Sequence, residues 1–340
     1  MRLHSMNWSS LLLLLQLSFS AYCMFSYRLA PAWQMKTENS LFDQFVKTFN
    51  LNNNNAKSPS TKGSTSSIKK IVITGATGLI GQELTKRFEQ RDIEVVKVTS
   101  QKKLDGTPNV VVWDLNDSSV KNAELLNDAD IVINMVGENV GEFWSEEKKQ
   151  RITRSRMAGT ALIVKKISEL KKKPKLFISA SGLSYYGYLK SEQVFDESDT
   201  VTDEPGIGCI LTYCYTYTYN HFSIHSFSLY SSHLGFLTKI ALDWESEALR
   251  AEALGVRTVC VRFAPIFTTK AGILSKLMPV FGLGAGGVLG SGKQPFNWVS
   301  LVDTLDAIDF IIDNKSIKGP VNICSPVLIN NAVFTSAIGR

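Results

Sequence analysis

From residue 68 onward, short apolar, β-branched runs alternate with stretches whose apolar residues recur at helical spacing. Lys70–Thr74 (KIVIT), Glu94–Thr99 (EVVKVT), Asn109–Trp113 and Ala129–Met135 (ADIVINM) predict strands. Between the first two, Leu79, Ile80, Leu84 and Phe88 share one face and predict a helix. A longer helix is predicted from Ser145 to Leu170, with Ser145 as N-cap and a highly charged face assigned to solvent. Strands that alternate with helices imply an α/β fold, a doubly wound parallel sheet with helices on both faces. A smaller substrate-side subdomain is expected after it, within one domain over 68–340.

Residues 1–67 read differently. Arg2 and His4 precede an apolar run, Leu11 to Phe25, that opens with five leucines and holds small residues at Ser18, Ser20 and Ala21. The run is short against the ~20 apolar residues of a spanning helix and fits a secretory-signal presequence over 1–25. The stretch Asn50 to Ser67 has no acid, few apolar residues and many Ser and Asn, which predicts a disordered, transit-like linker over 26–67. A signal followed by a transit-like stretch predicts a plastid address, with the secretory pathway as the alternative.

Charge and cysteines then exclude two classes. The formal net charge is +6, and residues 1–70 account for all of it. The remainder is balanced, so nucleic acid is not an expected partner. Five cysteines, scattered between presequence, insert and strands, do not form a disulfide framework. Cys260 and Cys324 are expected as buried free thiols in strands.

The chemistry begins where the first strand ends. Gly75-Ala76-Thr77-Gly78-Leu79-Ile80-Gly81 is a GxxGxxG turn between strand and helix. Gly75 permits the tight exit, Gly78 lets backbone approach a diphosphate, and Gly81 lets the helix pack on the strand, a Rossmann arrangement. The amides that open the helix supply hydrogen-bond donors and a positive dipole. About 20 residues on, where an NAD enzyme carries an acid for the ribose hydroxyls, the chain reads Ser100-Gln101-Lys102-Lys103. Ser100 and the lysines accommodate a 2′-phosphate, so NADP(H) is the expected cofactor. Asp114, beside Leu115, is placed to meet the adenine amino group, and Val136-Gly137 to run close to the cofactor.

By these features the chain resembles the extended short-chain dehydrogenase/reductase superfamily, and within it the NAD-dependent epimerase/dehydratase-like "epimerase family" branch. The segments that carry the resemblance are ITGATGLIGQEL, ADIVINMVGENV, SRMAGT, SASGLSYYG, FDESD, DWE, VRTVCVRFAPIF, LGAGGVLGSGKQPFNWVSLVD and GPVNICSP, in the expected order. The resemblance implies cofactor contacts at Gly75, Thr77, Gly78, Leu79, Ile80, Gly81, Asp114 and Gly137, with Gly159 and Thr160 lining the cleft. It implies that Ser181 hydrogen-bonds the reacting oxygen, with Tyr185, Tyr186 and Gly187 beside it. Arg262 and Pro265 would end a strand near the nicotinamide, and Gly290 to Trp298 would face substrate.

Departures from that pattern matter as much. Hydride chemistry in the superfamily uses a Tyr with a Lys four residues later, the ammonium biasing the phenol for proton exchange. Aligned on Asp243-Trp244-Glu245, those positions hold Phe236 and Ile240, and Lys239 lies about 100° around the helix from Ile240. Cys209 to Leu234 has no Asp, Glu, Lys or Arg and reads as an insertion, of the kind a translated intron would give. Its His221, His225 and His233 come without a carboxylate, so no metal site is expected. The family pattern continues past Arg340, so a C-terminally truncated subdomain is expected.

Two functions follow. One is an NADP(H)-binding oxidoreductase or epimerase-like protein acting on an unidentified small molecule, with Ser181 orienting the oxygen and water or Tyr185 exchanging the proton. The other is a non-catalytic nucleotide-sensing or scaffold protein, for example in plastid division, which Phe236 and Ile240 favour. No membrane span is expected in the mature domain.

Overall fold

A computed structural model describes residues 68–187, 195–199, 235–326 and 328–339. The presequence and linker readings and the insert with its histidines lie outside the described residues. In chain order the elements are β1 (Lys70–Thr74), α1 (Leu79–Glu89), β2 (Glu94–Thr99), β3 (Val110–Asp114), β4 (Ser119–Lys121), β5 (Ile131–Asn134), α2 (Glu146–Glu169) and β6 (Leu176–Gly182). There follow α3 (Phe236–Leu249), β7 (Arg257–Phe263), β8 (Ile266–Phe267), α4 (Gly272–Gly282), β9 (Pro295–Phe296), β10 (Val299–Ser300), α5 (Leu301–Asp313), β11 (Gly319–Ile323), β12 (Ile329–Asn330) and α6 (Asn331–Ile338).

Eight strands form one sheet in the order β11-β7-β6-β5-β1-β2-β3-β4. Its neighbours are parallel except β3 and β4. Strand alternation divides the apolar residues between two cores. Ile71 and Ile73, Leu176 and Ile178, and Val259 and Val261 pack with Leu84 and Phe88 of α1 and Leu305 and Ile308 of α5. The intervening Val72, Phe177 and Cys260 pack on the other face with Leu162, Ile163 and Ile167 of α2 and Ala248 of α3. The sheet is therefore a Rossmann-like, doubly wound parallel sheet. A third core, with Phe267, Leu274, Phe296, Trp298 and Phe334, joins α4 and α6 to the paired strands β8–β10 and β9–β12 on the substrate side.

Several elements differ from expectation for local reasons. Asn109 has φ +56, so the third strand starts at Val110. The run Ala129–Met135 yields only Ile131–Asn134, because the Asp130 carboxylate turns back to accept from the Lys69 and Lys70 amides. The edge strand β4 has no apolar pattern to announce it. Ser145 does cap α2, accepting from the Lys148 amide. The charged face of that helix is not wholly in solvent, however. Lys148 is only 3% exposed, with Nζ 2.7 Å from Glu138 and 2.5 Å from Glu142, and it pins the loop before the helix. Cys260 is buried as expected, whereas Cys324 is exposed just beyond β11. Among the described residues no helix is long and apolar enough to cross a membrane.

A cluster of ion pairs ties α1 to α5. Arg91 grips Asp309 through both guanidinium nitrogens at 2.9 and 2.6 Å, and Arg87 contacts Asp306 and Asp309.

Asp130 makes the fold sensitive to acid. Its burial alone raises the pKa, but the Lys69 and Lys70 amides and Lys175 outweigh that and hold it below the ordinary carboxylate value. A depressed native pKa contributes stability above the unfolded value, and the contribution is lost as pH falls through the native value. Asp130→Asn is therefore expected to flatten the loss of stability below about pH 4 in denaturation series, since an unfolded Asp titrates near there. An unchanged acid limb would contradict this.

Candidate functional site

The C-terminal ends of β1, β5, β6 and β7 lie side by side at one edge of the sheet, where a doubly wound fold places its ligand cleft. At β1, Gly75 has φ +64, and a Cβ there would lie 2.4 Å from the Met135 carbonyl oxygen. A Cβ at Gly81 would lie 2.3 Å from the Gly75 carbonyl oxygen and 2.7 Å from the Ala76 Cα. These two positions let α1, the turn and the end of β5 close on each other. Gly78 is the N-cap of α1 and brings no side chain to it, and the first turn holds no acid. Gly78 N donates to Gly75 O at 2.9 Å, and the next such bond, Gln82 N to Gly78 O, leaves the amides of Leu79, Ile80 and Gly81 at the open end. Thr77 contributes its carbonyl, which accepts from Gln82 Nε2.

On the side of β2 and β3, Ser100 is exposed and Lys102 stands on a short helical turn with its Nζ 3.2 Å from Asp114. The two residues expected to meet different parts of a nucleotide thus meet each other. Asp114 also accepts from the Asn116 amide and side chain, and these bonds together with Lys102 hold its carboxyl below the ordinary value. Leu115 packs against the second core.

Beneath the cleft floor lies a buried polar network that sequence reading missed. Thr74 Oγ1 donates to Asn134 Oδ1 at 2.6 Å, and Asn134 Nδ2 donates to Thr160 Oγ1 and Ser179 Oγ at 2.9 and 3.0 Å. Trp244 Nε1 donates to the same Thr160 hydroxyl. The network locks the ends of β1, β5 and β6 to α2 and α3. Removing one member would leave a buried partner unsatisfied, at a cost of about 1–3 kcal/mol. Val136 is buried against Gly159 of α2, where a Cβ would come within 2.9 Å of it. Gly137, the next residue, lies under the guanidinium of Arg156.

At the ends of β6 and β7 the Ser181 hydroxyl donates to Glu245 Oε1 at 2.6 Å. Glu245 is held by Arg262, whose Nε and Nη2 reach its two oxygens at 2.8 Å each. Arg262 Nη1 donates to the Tyr186 hydroxyl, which also contacts Asn322 and the Asp196 carbonyl. The Arg262 Cζ lies 3.3 Å from the centre of the Tyr185 ring. Burial disfavours the Arg262 charge, but Glu245 more than compensates and raises its pKa. Burial raises that of the Tyr186 phenol. The geometry turns the Ser181 proton away from a ligand and leaves its lone pairs to accept. It also makes Tyr185 an aromatic seat for a guanidinium. The DWE and VRF segments were visible in sequence, but not that Glu245 and Arg262 would form the charged pair behind Ser181.

Phe236 opens α3, with its ring 5.3 Å from that of Trp144, and Ile240 is buried one turn later. Lys239 points outward and pairs with Asp243. The Pro265 carbonyl accepts from Val299 N, which joins β10 to the end of β7. Trp298, expected to face substrate, is instead 3% exposed in the third core, its ring stacked on Phe267, because the β9–β10 segment turns it inward.

Comparison with known proteins agrees with this architecture. The NAD dependent epimerase/dehydratase family matches residues 71–214. The chain is 28% identical over 271 residues to an epimerase family protein of Mycobacterium leprae, covering 79% of this chain and 76% of the relative. It is 29% identical over 272 residues to the epimerase family protein YfhF of Bacillus subtilis, covering 79% and 78%. Among solved structures it is similar to human epimerase family protein SDR39U1 (isoform 2) with NADPH, at TM-score 0.62 and 24% identity over 80% of each chain. It is also similar to the nucleoside-diphosphate sugar epimerase of Corynebacterium glutamicum, at TM-score 0.62 and 24% identity. That match covers 80% of this chain and half of the other. The relatives in Mycobacterium and Bacillus are bacterial, which points against a plastid presequence and overturns the address expected from residues 1–67. By sequence, residues 71–214 match the NAD dependent epimerase/dehydratase family, and the Rossmann-like fold is shared with the solved structures.

Proposed function

We propose that this chain binds NADP(H) and is an oxidoreductase or epimerase-like protein that works without the Tyr–Lys pair of its superfamily. The observation that carries this reading is the glycine turn at Gly75–Gly81. Two glycines are required by backbone contact, the third leaves the helix N-cap bare, and no acid in the first turn opposes a phosphate. These residues fit a dinucleotide. Gly75, Gly78, Leu79, Ile80 and Gly81 would hold its diphosphate, and Val136 and Gly137 would flank it. When bound, such a cofactor supplies hydride exchange with a carbonyl carbon. The structure of the human relative contains NADPH, which supports the choice of nucleotide.

For the 2′-phosphate, Ser100, Lys102 and Lys103 follow β2, and Lys102 is already oriented by Asp114. Ser181, with its proton on Glu245, would accept from a substrate hydroxyl rather than donate to a carbonyl. With Phe236 and Ile240 at the dyad positions, any proton would leave through water or through the Ser181–Glu245 contact. Those two residues equally favour a second reading, a nucleotide-sensing protein without turnover.

Fluorescence titration of the full chain tests the nucleotide. NADPH is expected to bind at least tenfold more tightly than NADH, and Lys102→Glu with Lys103→Glu is expected to erase the preference. Tighter NADH binding by the unaltered protein would overturn the assignment to NADP(H).

A further inference from the structure

Among the described residues no carboxylate forms an ion pair with Arg156. Arg156 projects from α2 toward the end of β5, where its Nη2 lies 3.1 Å from the point a Cβ would occupy on Gly137. Its Nη1 makes two long bonds to backbone, 3.2 Å to Glu138 O and 3.3 Å to Ile152 O. One face of the guanidinium rests on the Trp244 ring, with Cζ 4.9 Å from its centre. The Glu138 carboxylate, which acts on Arg156 electrostatically, is itself engaged by Lys148 at 2.7 Å and approached by Arg151 at 3.8 Å. Desolvation, only partly opposed by Glu138, pushes the Arg156 pKa down to about 10. A half-buried guanidinium given only carbonyls and a ring is under-compensated, and an anion would restore the balance.

Its position limits which anion. Met135 O abuts Gly75, and Gly137 lies two residues further along. Two residues of chain span at most ~7 Å, so Arg156 overlooks ground next to the glycine turn. Gly137 and the bare Gly78 leave that ground without side chains.

We infer that Arg156 is a phosphate-binding residue, its Nη2 meeting a phosphate oxygen of a nucleotide seated between the glycine turn and Gly137. The inference rests on the nucleotide-binding reading above and adds to it a side-chain anchor contributed by the second half of the domain. The phosphate could belong to the cofactor or to a nucleotide-linked substrate, and the guanidinium would treat both alike.

The test measures NADPH and ADP-ribose binding to the full chain, and UDP-glucose binding at saturating NADPH, in wild type, Arg156→Met and Arg156→Lys. Melting curves check folding. A loss of tenfold or more for NADPH and ADP-ribose in Arg156→Met, partly restored by Arg156→Lys, assigns the residue to the cofactor. A loss confined to UDP-glucose assigns it to the substrate. NADPH and ADP-ribose binding within twofold of wild type, with UDP-glucose unaffected or unbound, overturns the inference and leaves the parent reading standing. Failure of the wild type to bind any of the three removes both. If the variants do not fold, phenylglyoxal labelling of the wild type decides. Modification of Arg156 is expected to be blocked by ADP-ribose or UDP-glucose, and an unchanged rate with both refutes the role.

Discussion

Alanine at Gly81 is expected to abolish nucleotide binding and to cost about 2–3 kcal/mol of stability, the upper part of the range for overpacking a close-packed site. The added carbon would lie 2.3 Å from the Gly75 carbonyl oxygen and 2.7 Å from the Ala76 Cα. Both are backbone atoms, so no side chain can swing away to relieve the contact. Helix α1 must slide or tilt, and its open amides would then no longer face the turn. Gly78→Ala is the control for stability, because a Cβ there meets nothing closer than 3.2 Å. Denaturant unfolding should separate the two variants widely. Equal stability of Gly81→Ala and Gly78→Ala would remove the steric argument.

The second large effect concerns Arg262, the largest of the fully buried side chains among the described residues. Arg262→Met is expected to destabilise by about 3–5 kcal/mol, because it leaves the Glu245 carboxylate buried without its cation. The exposures of the two side chains, 2% and 6%, leave little water to screen the orphan. Adding Glu245→Leu to Arg262→Met is expected to recover much of that loss, since a neutral, apolar pair carries no desolvation debt. The recovered protein should still lack the fixed Ser181 rotamer. A single Arg262→Met substitution costing under about 1 kcal/mol would put the pair in the class of screened surface ion pairs.

Much of the fold was legible because its signals are local. The β-branched runs, the glycine spacing and the Ser145 cap each act within a few residues, and alternation along β1, β6 and β7 is the period that divides two cores. The pairs that shape the cleft are not local. Ser181 and Glu245 lie 64 residues apart, and Thr160 and Trp244 lie 84 apart. Nothing in either neighbourhood says that a helix carboxylate will accept the strand hydroxyl. Lys148 was assigned to solvent because the helix around it is charged, yet folding of the 138–142 loop wraps it in two carboxylates. Trp298 was misplaced for a similar reason: strands of two residues carry too little pattern to reveal which face turns inward. Lys102 and Asp114 were each read for a ligand, and their mutual contact depends on β2 and β3 lying side by side.

Arg87 on the last turn of α1 and Arg91 just beyond it have a mechanical consequence. Arg87 and Arg91 fasten the helix that opens the glycine turn to α5, and α5 continues directly from β10 of the substrate side. The floor on which a nucleotide would rest and the strand leading into the opposite wall are thereby coupled through a common strut. Clamshell rotation of one wall against the other would strain these bridges.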